Sequence, residues 1–510
     1  MIKFRWALVA AAAALLAGSV CFLGKSGFEE VSGPKMEKEE VCRLIMQWPA
    51  SGEVPPGLKD VEEAVSQITR ERIGAEIEFL PVNGGSLSSA TSFSVSSGEQ
   101  IDLCVSVYQG LEHLVNAGCL LPLEELIDTY AKDLRKVCGV QLTGGYYQGK
   151  LYGIPVVYSN GTRQGFLCRT DILEKYDFSI DQRSYYSMDE LEEIFKKVKE
   201  GEGENFYMLA GGVNYGSTGA FSSEMLWDNM GASTASGVLL LGKGKMSSEI
   251  VNLYATKEFK AYATRMFQWA GKGYIEQDAY MTGDDSDIAI SKGNYFGFFT
   301  DDVTEQEGEY SSRSGYEMTF IPMREACMKT SSYQSVIWSI AKTSACPEKA
   351  MEFLNLLYTD ERIINLLQYG IEGESYYVVK EDDRGTVIDI PEGKKLTDLP
   401  YYNILGIYGD RLKAYIRFPG DTDRNQKIKE FSDSIKLRSP ALGYVFDTEK
   451  VSAELSAVNE VLNNYMGIIN TGAVDPETEL PRLLEDLEDA GIEEVIAENQ
   501  RQYDKWRSLH

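Results

Sequence analysis

Carboxylates are the most abundant groups in this chain that could do chemistry. Paired acids occur at Asp284-Asp285 and Asp301-Asp302. Two carboxylates flanking a sugar bond can hydrolyse it. With 78 Asp and Glu among 510 residues, however, neighbouring acids arise by chance and mostly form solvated surface. Histidine occurs only at His113 and His510, which leaves almost nothing for a His-ligated metal or a Ser-His-Asp relay. Gly24-Lys25-Ser26 matches the end of a phosphate-binding loop, but Ser19 stands where its first glycine belongs. Gly201-x-Gly203 and Gly242-x-Gly244 lack a third glycine, since Phe206 and Ser247 occupy those places. Asp421-x-Asp423-x-Asn425 imitates half a calcium loop and fails at Gln426 and Ser432, where glycine and glutamate are needed. No metal or cofactor is expected. The eight cysteines include no C-x-x-C pair, which excludes a zinc ribbon or a thioredoxin-like motif. On apolar segments they read as buried thiols.

Stacking and hydrogen bonding remain. Aromatics make up 11% of the chain and 30 of them are tyrosines. The formal charge of −28 repels phosphate backbones and excludes nucleic acid as a partner.

The elements that must position these residues alternate strand and helix. Leu44–Trp48 reads as a strand stopped by Pro49, and Val61, Val65 and Ile68 recur at helical spacing. Further strands are expected at 75–82, 101–107, 151–158, 164–169, 288–300, 316–322 and 335–341. Ser187 with Glu190 forms a capping box for a helix buried through Leu191, Ile194, Phe195 and Val198. Pro347 opens another helix, and Lys380–Leu399 reads as an irregular excursion or edge hairpin. The last sixty residues are helical, with one stripe at Val451, Leu455, Val458, Leu462 and Tyr465. This order implies mixed sheets covered by helices.

Residues 1–40 lie outside that pattern. Lys3 and Arg5 precede an apolar run from Trp6 to Leu23, the layout of an export signal. Three exits are open: cleavage after Ser19, lipidation of Cys21, or retention as an anchor. Each leads to a protein outside the cytoplasm, attached to the outer face of the membrane or released from it. The attached form is the expectation.

From Ala341 the motifs become specific. Lys342-x-Ser344-x-x-Pro347-Glu348-x-Ala350-x-x-Phe353-Leu354, followed by Tyr369-Gly370-Ile371-Glu372-Gly373, resembles the extracellular solute-binding proteins of ABC importers. Ser439–Asp447, Asp475-Pro476 and Ala490-Gly491-Ile492 resemble the subgroup with an extended helical C-terminal region, and Arg169–Tyr176 also fits. The resemblance implies a two-lobed periplasmic-binding-protein-like α/β fold (type II) with a helical C-terminal extension. It places 41–155 plus 288–340 in the N-terminal lobe and 156–287 plus 341–510 in the C-terminal lobe. It further implies a monomer without catalytic residues, which captures a small ligand by hinge closure and hands it to ABC permease subunits.

Sugar rings expose apolar C–H faces to aromatic side chains and offer hydroxyls to carboxylates, amides and indoles. A carbohydrate, in particular an oligosaccharide, is therefore the expected ligand. Trp48, Tyr108, Gln109, Tyr158, Tyr215, Trp227, Asp301, Trp338 and Glu372 are the candidate contacts. Trp227 and Trp338 sit on apolar segments and read equally well as core, and Glu372 as a brace after a helix. Trp48 and Tyr108 stand at strand-to-loop exits and read as contacts. The rival class is a secreted carbohydrate-active enzyme pairing Asp301 with Glu372. A ligand-binding accessory of a membrane sensor is a third.

Overall fold

The computed structural model describes residues 41–509 apart from 51, 108–109, 212–218, 243–245, 282–285, 303–306 and 404. The segment 1–40, with Cys21, lies outside the described residues. Two sheets organise the rest. The strands that build them are β1 (Cys42–Ala50), β2 (Ala75–Asn83), β3 (Leu103–Val107), β4 (Ile154–Pro155), β5 (Arg163–Arg169), β6 (Tyr207–Leu209), β7 (Tyr295–Asp302), β8 (Met318–Pro322) and β9 (Val336–Ile340). The first sheet has the order β2-β1-β3-β9-β4 and the second β8-β5-β7-β6.

β1 and β2 run parallel from Cys42↔Ala75 to Ala50↔Asn83. The strand continues past Pro49 because the β1–β3 ladder is confined to Met46↔Leu103, so the missing N–H of Pro49 falls beyond it. Helix Leu58–Ile73 covers this sheet through Val61 and Val65, as its spacing predicts. In the second sheet β5 is sandwiched between β7 and β8, and Phe166, Leu167 and Cys168 are buried. Phe166 anchors an aromatic cluster, with Phe195 and Phe299 at ring distances of 5.2 and 5.1 Å. Phe195 arrives on the helix capped by Ser187, where both halves of the capping box form. Helices Ser452–Asn470, Pro476–Asp489 and Ile492–Arg507 pack on this second core through Val458, Leu462, Leu483, Leu487, Val495 and Tyr503. Asp475 caps the second of them, its side chain accepting from the Glu477 N–H.

Two expectations need correction. Strands β7 and β8 do not join the first sheet; their apolar runs flank β5, so 295–322 belongs with the second sheet. Conversely, helices Pro347–Thr359 and Glu361–Tyr369 bury Phe353, Leu354, Ile363 and Leu367 in the core of the first sheet, where Tyr401 and Tyr408 join them. Residues 341 to about 414 thus lie with the first lobe, and 288–323 with the second. A continuous apolar strand carries no mark of which sheet it completes.

The cysteines differ as well. Cys104, Cys119, Cys138, Cys168 and Cys327 are buried free thiols as expected, but Cys42 and Cys346 form a disulfide across 304 residues. It ties the start of β1 to the N-cap of helix Pro347–Thr359. The 377–389 region is a hairpin, Tyr377–Asp382 against Gly385–Asp389. Asp421 and Asp423 of the imitation calcium loop are neutralised by Lys380, Arg384 and Lys427.

Candidate ligand-binding site

Three passages of chain connect the sheets. The first leaves β4 at Pro155 and enters β5 at Arg163; the second runs from Pro322 of β8 to Val336 of β9; the third passes through Leu437–Arg438. They are bonded together. Thr162 and Cys327 exchange backbone hydrogen bonds of 3.3 and 3.0 Å, and Cys327–Met328 pair with Leu437–Arg438. Gly161 permits the approach: a Cβ there would overlap the Cys327 carbonyl oxygen and lie 2.7 Å from its carbon. Behind them, buried Asp228 accepts from the Thr330 N–H at 3.0 Å and from its Oγ1 at 2.7 Å. Burial raises the Asp228 carboxyl above the ordinary aspartate range, and these donors oppose that shift.

The passages meet both sheets at their carboxyl ends. Val336 pairs with Val107, the last residue of β3, while Asp301 and Asp302 at the end of β7 pair with Gln164 and Arg163. The chain order reverses about β1, since β2 lies on one side and β3 on the other. Ligands of open α/β sheets bind in the crevice outside such a reversal, at the carboxyl ends. Each sheet therefore turns its binding end towards the same three-stranded hinge.

The candidate contacts separate on this frame. Asp301 is exposed at the carboxyl end of β7. Tyr158 lies on the first passage, its ring under the Arg411 guanidinium at 4.0 Å; its buried hydroxyl has no partner among the described residues. Tyr108, Gln109 and Tyr215 lie outside the described residues, though the strands before them, β3 and β6, end at the crevices. The three tryptophans are buried. Trp48 is 2% exposed, and its indole donates to the Tyr401 hydroxyl at 3.0 Å. Trp338 donates to the Ile407 carbonyl at 2.7 Å and stacks on Tyr408. Trp227 is packed against Phe221 and donates to Asn229 Oδ1. Glu372 is exposed, in a turn that pairs Glu372 with Tyr376 beyond helix Glu361–Tyr369. The structure thus brings Asp301 and Tyr158 to the hinge and leaves Trp48, Trp338 and Trp227 in the cores.

Residues that the sequence does not single out also reach this region. Arg411 arrives through backbone bonds between Val157 and the segment Gly409–Arg411. Gln141 donates to Asn160 on the first passage at 3.1 Å. Glu112, in the helix that follows Gln109, has one buried carboxylate oxygen without a partner among the described residues. Burial pushes its carboxyl up to about 7, with the Asp447 charge adding to the rise. One turn further on, Asn116 donates to Asp447 at 3.3 Å, joining the first lobe to the chain just beyond the third passage. Nothing local in the sequence marks Arg411, more than 250 residues from Tyr158; Glu112 was within reach, three residues past Gln109. Among the described residues no cluster has metal-ligand composition, and no helix is long and apolar enough to cross a membrane.

Comparison with known proteins places this geometry. Residues 63–371 match the bacterial extracellular solute-binding protein family, and residues 440–508 match a domain of unknown function, DUF3502. A carbohydrate ABC transporter substrate-binding protein of Streptococcus pneumoniae serotype 4 is 28% identical over 466 residues, 89% of each chain. The crystal structure of the N-glycan transport solute binding protein (NgtS) from Streptococcus pneumoniae superposes with a TM-score of 0.77 at 24% identity, covering 92% of this chain and 99% of that one. The structure of that protein with Man5GlcNAc superposes at 0.67, again at 24% identity over 92% and 99% of the chains. These folds are two-lobed, as the paired sheets here are. With more than half of its length matched to the family, this chain belongs to the bacterial extracellular solute-binding proteins.

Proposed function

We propose that this protein captures an oligosaccharide between its lobes and presents it to the permease subunits of an ABC importer. The observation that carries the reading is the convergence of two carboxyl-end crevices on one bonded hinge, because a ligand bridging both lobes shifts the population towards closure. Asp301, Tyr158 and Arg411 would meet the sugar there, with Tyr108, Gln109 and Tyr215 on the adjoining loops. An exposed carboxylate accepts from sugar hydroxyls, and the Tyr158 hydroxyl, without a partner among the described residues, has a hydrogen bond to offer. The relatives named for carbohydrate and N-glycan transport support the ligand class. The better superposition on the N-glycan protein named without a sugar, 0.77 against 0.67, supports lobes whose placement changes with ligand. The role is binding without turnover, outside the membrane, with Cys21 as the attachment point through a lipid.

Thermal shift against N-glycan fragments, fructans and milk-type oligosaccharides tests the reading. A ligand at a hundredfold excess over Kd stabilises by about 2.7 kcal/mol. Asp301→Asn and Tyr158→Phe are expected to weaken that ligand about tenfold while leaving the unliganded melting temperature unchanged. Stabilisation by peptides or amino acids alone, with no response to any glycan, would overturn the ligand class. Release of reducing ends from a bound glycan would overturn the non-catalytic role.

A further inference from the structure

A second site is built wholly inside the second lobe, apart from the hinge. A cavity of about 300 Å³ lies between helix Ser452–Asn470 and the turn after the short strand Trp227–Asn229. Neither the first sheet nor any of the three passages contributes to its wall. Its volume is at the lower bound of small-molecule sites, roughly 300–1,000 Å³, which suits one or two rings and not a long chain.

The composition of the wall is specific. One side is Asn459, Leu462, Asn463, Met466 and Asn470, a single face of the helix at steps of three and four. Asparagine is a poor helix former, and an inward stripe is ordinarily apolar. Three asparagines on that face break the local rule, and such breaks concentrate at functional positions. The opposite side offers Trp227, Tyr254 and Phe259 as aromatic surface, and Ser233 and Thr234 as hydroxyls. No charged side chain lines the cavity among the described residues, in a chain carrying a net −28.

The hydrogen bonds leave donors available. Asn229 uses its carbonyl oxygen to accept from Trp227 Nε1 at 3.0 Å, and Asn470 uses its own for the Tyr262 hydroxyl at 3.2 Å. The amide nitrogens of both have no partner among the described residues, and Asn463 is exposed at the rim. Asn459 is fixed at both ends, accepting from Ser233 Oγ at 2.9 Å and donating to the Leu455 carbonyl at 2.8 Å. Held amides beside aromatic edges, without charge, fit a neutral polyhydroxylated ring. An anion would find no cation in the wall itself, the Lys329 ammonium standing 5.9 Å from the Trp227 ring centroid, and an apolar ligand would leave the amides unpaired.

We propose that this cavity is a second, peripheral sugar site, which takes a single neutral pyranose or a glycan terminus independently of the hinge. Helix Ser452–Asn470, the first of the C-terminal helices, would then supply a binding wall as well as packing.

Saturation-transfer NMR on the whole chain tests it, with methyl α-mannoside, methyl α-glucoside and N-acetylglucosamine as probes and glucuronate as the charged comparison. Saturable binding of at least one neutral probe at millimolar concentration is expected, with none of glucuronate. Ala232→Trp and Asn463→Trp fill the cavity from opposite walls at exposed positions, so both variants should melt with wild type. Each should weaken the neutral probe at least tenfold, whereas Asp301→Asn should not change it. The proposal is overturned if no neutral probe saturates, which makes the cavity a water site only. It is equally overturned if both tryptophan variants bind like wild type, or if Asp301→Asn alone abolishes binding, which returns the sugar to the hinge.

Discussion

The hinge makes one quantitative demand that a single methyl group tests. In Gly161→Ala the new Cβ would overlap the Cys327 carbonyl oxygen and stand 2.7 Å from its carbon and 3.0 Å from Met328 N. All three are backbone atoms of the neighbouring passage, so no side chain can swing away. The passages must part, and the Thr162–Cys327 bonds of 3.3 and 3.0 Å stretch or break. Two lost backbone bonds cost about 1 kcal/mol each, and forced overpacking adds about 1–3 kcal/mol. Replacing glycine recovers about 0.4–1 kcal/mol from the unfolded chain. The net expectation is a loss of about 2–5 kcal/mol. At roughly 2.1 cal/mol/K per residue, an unfolding entropy of about 1 kcal/mol/K for the described chain converts this to a fall of about 2–5 °C. Scanning calorimetry reads it, with Gly271→Ala as the comparison, because a Cβ at Gly271 meets nothing within 4 Å. Gly271 ends a helix, so alanine there should be neutral or slightly stabilising. A Gly161→Ala protein melting with wild type would refute the claim that close approach of the passages holds the hinge.

Other perturbations have equally direct outcomes. The Cys42–Cys346 bridge closes a loop of 304 residues, for which the chain-entropy argument gives about 6 kcal/mol. Cys346→Ser should therefore melt several degrees lower, and non-reducing peptide mapping of the wild type should recover the Cys42–Cys346 pair. The Glu112 carboxyl sits near 7 in the folded protein against an ordinary 4.5. Its contribution to stability is thus complete below about 4.5 and is lost as pH rises to about 7, where the folded state ionises too. At 1.36 kcal/mol per unit, discounted for its partial exposure, the loss is about 1–3 kcal/mol. Glu112→Gln should flatten that fall, and melting curves between pH 4 and 8 that coincide with wild type would exclude it. Thr330→Val removes the hydroxyl donor at 2.7 Å from buried Asp228 and should cost about 1–3 kcal/mol, read as a shift in the denaturation midpoint.

What could be read from the sequence was what neighbouring residues decide. The Ser187–Glu190 capping box, the Pro347 helix start and the Asp475-Pro476 cap each involve side chains within three positions, and each forms as expected. Sheet membership is decided elsewhere. β7 and β8 are apolar runs that any buried sheet would accept, and only their register against β5 assigns them. The Cys42–Cys346 pairing and the return of 341–414 to the first core are the same failure at longer range.

The aromatic candidates show why the site was harder to read than the fold. A tryptophan at a strand end offers a flat face and one N–H whether it meets a sugar or its own protein. Trp48 is covered by Tyr401, 353 residues away, and Trp338 by Tyr408 and the Ile407 carbonyl. Their polar ends are already satisfied, so nothing is left over for a ligand. Tyr158 and Asp301 differ in keeping unfilled capacity, a hydroxyl without a partner among the described residues and an exposed carboxylate at the hinge. The asparagine face of helix Ser452–Asn470 keeps it in the same way, interleaved with Leu462 of the apolar stripe. Residue type proposes a contact, but the hydrogen-bonding capacity left after folding decides it, and that remainder depends on partners hundreds of residues distant.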